Sequence, residues 1–147
     1  MKNWGWIVLV VLAVCLFWWG KFGFQIGNPK INCLYSDSTK KIETICVNQL
    51  QDNSLIKSPL EISGRARGNW FFEASFPIEL LDQNNQQLAV AIAQAQGDWM
   101  TEDLVPFTAT LKFTAPVSDA GKLVLKRDNP SGLPQNDAEL IIPIRFR

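Results

Sequence analysis

GRARGNWFFEASFPIELLD, residues Gly64–Asp82, decides the fold. Phe72, Ala74, Phe76, Ile78 and Leu80 share one parity, whereas Glu73, Ser75 and Glu79 share the other. Such alternation predicts an extended strand, here Trp70–Leu81, that buries the first set and shows the second to water. The same segment carries Arg65, Arg67, Trp70 and Glu73. It therefore supplies both a fold class and a candidate surface site, but no reaction.

Period-2 patterning continues on both sides. Further strands are expected at Lys41–Leu50, Pro59–Ala66, Gln87–Gln94, Phe107–Phe113, Lys122–Lys126 and Glu139–Phe146. Turn chemistry separates them: Asp52-Asn53-Ser54, Asp82-Gln83-Asn84-Asn85, Pro116–Gly121 and Asp128-Asn129-Pro130-Ser131-Gly132. Pro143 falls on the outward parity of the last strand and points to a sheet edge there. Seven short strands with turns between them predict an all-β, immunoglobulin-like sandwich over residues 41–147.

Composition narrows the function classes. With 147 residues, 47% of them apolar, the chain holds one domain with a core. The 14 basic and 14 acidic residues balance, and no basic block occurs, so no nucleic-acid partner is expected. There is no histidine. That removes the commonest neutral-pH base and metal ligand, and with it any Ser-His triad.

Trp4–Gly20 (WGWIVLVVLAVCLFWWG) carries no charge, with Lys2 before it and Lys21 after it. Its seventeen residues reach the short end of the spanning range of about 17–25, and Trp4/Trp6 and Trp18/Trp19 match interfacial aromatic belts. The expectation is an uncleaved, single-pass transmembrane helix at 4–20 that anchors the chain in the cytoplasmic membrane. The rivals are a cleaved signal peptide and a lipoprotein attached at Cys15. Residues 21–40 are read as a linker and cysteine loop. With a tail of three residues before the apolar run, the expected orientation has the N-terminus inside and the bulk outside the cytoplasm. Cys33 and Cys46 lean the same way, since a disulfide between them requires an oxidising compartment. Two free thiols are the alternative.

Three stretches carry a family resemblance: SPLEISGRARGNWFFEASFPIELLD (Ser58–Asp82), AQAQGDWMTEDLVPFTATLKF (Ala93–Phe113) and LVLKRDNPSGLPQNDAELIIPIRF (Leu123–Phe146). In that order they resemble the GerMN-associated immunoglobulin-like domain of bacterial spore-germination and other envelope proteins. The likeness runs from about Ile45 to Phe146 and omits the apolar N-terminus and Cys33. It implies an accessory domain in the envelope, and it implies no defined activity.

The same three stretches hold the candidate site. Arg65, Arg67, Trp70 and Glu73 lie in the first, Trp99 and Glu102 in the second, and Asp128 and Asn129 in the third. If they converge, two aromatic faces beside guanidinium and carboxylate groups suit a cell-wall glycan or peptide, or an envelope protein. Alternatively, Trp70 and Trp99 plug the core, and Arg67 pairs with Glu102 or Asp103 to pin a loop. A calcium site from Asp98, Glu102, Asp103 and Asp128 fits no EF-hand order. No metal, cofactor or catalytic residue is expected. The rival function is a wall-glycan or metal-dependent hydrolase using Glu73 and Glu102 as acid and base.

Overall fold

A computed structural model describes residues 31–37 and 42–147. Within them nine strands form one hydrogen-bonded sheet: β1 (Ile31–Asp37), β2 (Ile42–Asn48), β3 (Ser54–Leu55), β4 (Leu60–Arg67), β5 (Ser75–Asp82), β6 (Gln87–Ala95), β7 (Leu104–Leu111), β8 (Ala120–Lys126) and β9 (Glu139–Arg145). Their spatial order is β1-β2-β4-β7-β6-β5-β8-β9-β3. All neighbours are antiparallel except β3 and β9.

This corrects the expected seven-strand, two-sheet sandwich. The sheet is single because Gln94 and Ala95 of β6 pair with Thr108 and Phe107 of β7, which carries the ladder across the corner. It curls into a half-barrel whose two edges approach each other. Asn32 Nδ2 on β1 donates to Asp52 Oδ1, 3.0 Å away, in the turn before β3. The alternation of a strand records which face is buried, not which strand lies beside it, so a corner crossed by two pairs leaves no trace in the pattern.

All seven expected strands exist, with shifted ends, and two more join them. Ile31–Asp37, read from sequence as linker, pairs with β2 and sets Cys33 opposite Cys46, where a disulfide joins the two strands. Ser54–Leu55 is too short to show alternation. It pairs with the end of β9, while Asn53 N–H donates to Pro143 O at 2.7 Å. The expected transmembrane segment Trp4–Gly20 lies outside the described residues. Among those described, the helical segments are two three-residue 3₁₀ turns, and no helix is long and apolar enough to cross a membrane.

The inner parity of each strand builds the core. Ile62, Gly64 and Ala66 of β4, Phe76, Ile78 and Leu80 of β5, Phe107 and Leu111 of β7, Leu123 and Leu125 of β8, and Leu140, Ile142 and Ile144 of β9 are all buried. Phe76 holds the centre, edge-on to Phe107 at 4.9 Å and to Trp70 at 6.0 Å. Gly64 lies under Phe107, since a Cβ there would stand 2.7 Å from the ring.

The Cys33–Cys46 bond closes a loop spanning 13 positions. The chain-entropy model gives such a loop about 3 kcal/mol of stabilisation. Intact-mass measurement of the native chain should show a gain of about 2 Da on reduction, with a lower thermal midpoint. Two thiols titratable without reductant would contradict the bond.

Candidate functional site

The three candidate stretches meet at one turn. After β4 the chain makes a single 3₁₀ turn, Gly68–Trp70. Gly68 is the seat for the loop before β7: its N–H donates to Asp103 O at 3.3 Å, and a Cβ on it would overlap the carbonyl oxygens of Trp99 and Thr101. Arg67 Nη1 reaches across to the backbone carbonyl of Glu102 at 2.7 Å. On the other side of the turn, Asp128 N–H donates to Trp70 O at 3.0 Å, and Arg127 Nε donates to Asn69 O at 2.9 Å. Backbone carbonyls and guanidinium groups thus tie the loops before β7 and β9 to this one turn.

The tryptophans divide. Trp70 is only 2% exposed and packs on Phe76, so its ring is a core plug with no face for a ligand. Trp99 is half-buried against the core, beside the exposed Asp98 and Met100. Its backbone is held by Gly68, not by a strand of its own.

Trp70 does not begin the strand, which starts at Ser75. Phe72–Ser75 is instead a tight turn closed by reciprocal bonds, Phe72 N–H to Ser75 O at 3.0 Å and Ser75 N–H to Phe72 O at 3.1 Å. Glu73 and Ala74 occupy its tip at φ 49° and 61°, the left-handed region of a type I′ turn. The apolar parity that predicted a strand from Phe72 is therefore interrupted, and Phe72 is exposed.

The remaining candidates serve partly as structure. Arg65 sits on the outer face of β4, opposite Cys46 on one side and Pro106 on the other. Asn129 staples its own loop. Its Nδ2 donates to Leu133 O at 2.9 Å and to Asp137 Oδ1 at 2.7 Å, and its Oδ1 accepts from Ser131. Asp98 and Thr101 likewise bond within their loop, to Met100 N–H and Asp103 N–H. Among the described residues no group of three or more His, Cys, Asp or Glu side chains gathers to hold a metal.

Two grooves lie at this end of the molecule, one lined by Asn69 and the other by Arg127, which bonds the Asn69 carbonyl. A smaller one, about 270 Å³, is lined by Arg67, Asn69, Thr101 and Glu102. A larger one, about 610 Å³, is lined by Lys126, Arg127, Asp137, Ala138 and Glu139. The sequence pointed to Arg67 and Glu102 but missed Asn69, Lys126, Arg127, Asp137 and Glu139. The polar Lys126-Arg127 pair at the end of an apolar strand was the available signal.

Truncation separates plug from seat. Trp70→Ala should cost about 3–5 kcal/mol and strongly lower the thermal midpoint, as expected for a buried aromatic. Trp99→Ala should cost clearly less; equal losses in thermal denaturation would contradict the division. Replacing Glu73-Ala74 by Asn-Gly, which suits a type I′ turn, should raise stability by about 1 kcal/mol in denaturant titration.

Neither the curated proteins nor the solved structures compared with this chain give a match. One family model does match, described as an immunoglobulin-like domain of bacterial spore germination, over residues 44–132. The match starts within β2 and ends in the loop before β9, so it includes the Gly68–Trp70 turn and the residues bonded to it, Glu102, Asp103, Arg127 and Asp128. Covering more than half of the chain, it shows that this protein belongs to the family of immunoglobulin-like domains of bacterial spore germination.

Proposed function

We propose that the chain is a non-catalytic binding or scaffolding module of the bacterial cell envelope, held at the membrane with its sheet on the extracytoplasmic side. The observation that carries this reading is the convergence of two loops on the Gly68–Trp70 turn, which gives an end with two mixed-charge grooves beside that turn. Arg67 and Glu102 border one groove, and two cations and two carboxylates border the other. Open grooves of both signs suit an extended peptide with charged groups, from the wall or from an envelope protein. The family membership supports an envelope setting, as does the disulfide, which persists in oxidising compartments. The uncharged run Trp4–Gly20 supports tethering to the membrane.

The hydrolase reading has less support. An acid–base pair must share one cleft. Glu102 lines the smaller groove with Arg67, Asn69 and Thr101, whereas Glu73 stands exposed at the tip of the Phe72–Ser75 turn.

A photo-crosslinking residue placed at Asn69, in cells, should capture a partner. The same residue at Gln83, in the turn at the far end of β5, should not. The mass of the adduct distinguishes a wall peptide from a protein. Equal capture at both positions, or none at Asn69, would sink the proposal.

A further inference from the structure

The register of β6, β5, β8 and β9 lays out an outer face in which every position can be placed. Glu79 of β5 lies between Val90 of β6 and Val124 of β8, and Val124 lies beside Ile141 of β9. This row runs Val90, Glu79, Val124, Ile141. Its two ends are large apolar side chains, 46% and 44% exposed, on a face that the strand pattern assigns to water. Val124 is buried although it points outward. Along β8 it stands between Lys122 and Lys126, whose stems lie on either side of it, and Lys126 Nζ bonds Glu79 Oε2 at 2.8 Å.

We propose that this face packs against the same face of a second copy of the chain, about a two-fold axis running along the strands between β5 and β8. That axis exchanges β5 with β8 and β6 with β9. Val90 of each copy then faces Ile141 of the other, and both exposed apolar ends leave water. Glu79 of each copy faces the Val124 position of the other and lies between the Lys122 and Lys126 ammonium groups there. The contact is self-complementary in charge as well as in shape, as an isologous interface requires. An axis across the strands would instead bring Lys122 and Lys126 of the two copies together, so the charges select the orientation. Sheets packed face to face stand about 10 Å apart, which the side chains of this row can fill. The face shares Lys126 with the larger groove, but Val90 and Ile141 line neither groove, so variants at these two positions test the proposal independently of the grooves.

The test is the association of the purified full chain in a mild detergent, followed by light scattering with the detergent mass subtracted. The wild type should dimerise. Val90→Lys and Ile141→Glu should each weaken the dimer at least tenfold without moving the thermal midpoint, because both positions are half-exposed. The double variant, V90K with I141E, should restore it, since each new lysine meets a new glutamate of the other copy. Positions 90 and 141 of one chain are three strand spacings apart, roughly 14 Å, too far to pair internally. Three results overturn the proposal: a wild type that stays monomeric at about 100 µM, association that the single variants leave unchanged, or single-variant losses that the double variant does not restore. The second outcome would place association in another part of the chain, and the third would give the face a partner other than a second copy.

Discussion

Phe76 is the contact on which the other elements depend. It touches Phe107 of β7 at 4.9 Å, Phe71 at 5.2 Å and Trp70 at 6.0 Å. β5 and β7 lie on opposite sides of the corner at β6, so this cluster spans the concave side of the curled sheet. Edge-to-face aromatic pairs contribute about 0.5–1.5 kcal/mol each beyond their buried area. The same cluster holds Trp70 in place, and Trp70 holds the turn that carries the candidate site. Stability and surface shape therefore share one anchor.

From that anchor the order of causes is short. A buried Trp70 sets the 3₁₀ turn, and the turn presents Gly68 without a Cβ, so the Trp99–Asp103 loop can lie directly on backbone. The turn also presents the carbonyls of Asn69 and Trp70 to Arg127 and Asp128. Both neighbouring loops are thereby bonded to the turn. Groups at this end need little further ordering on binding, which lowers the entropic cost of recognition.

The two ends of the sheet are finished differently. At β9, Pro143 cannot donate but its carbonyl accepts from Asn53, and β3 covers the strand end with two residues. At β1, the Cys33–Cys46 bond joins the outermost strand to its neighbour. Edge strands are exposed templates for unwanted pairing, and proline, a short covering strand and a covalent staple are three ways to restrain them.

Local pattern by itself determined the all-β class and seven strand positions, because side-chain alternation is a property of each strand alone. Gln87–Gln94 and Glu139–Phe146 were legible in this way to within a residue of β6 and β9. The motifs also carried the family. Pattern could not show β3, too short to alternate, nor β1, whose polar residues resemble a linker. It misread Phe72–Ser75, where the parity continues through a turn. Only the tertiary structure decided that Gln94 and Ala95 carry the sheet around a corner, that Trp70 is core, and that Arg67 bonds the backbone carbonyl of Glu102. These depend on which distant segments come to lie side by side. Their contacts join residues far apart in the chain, and local alternation holds no information about such pairs.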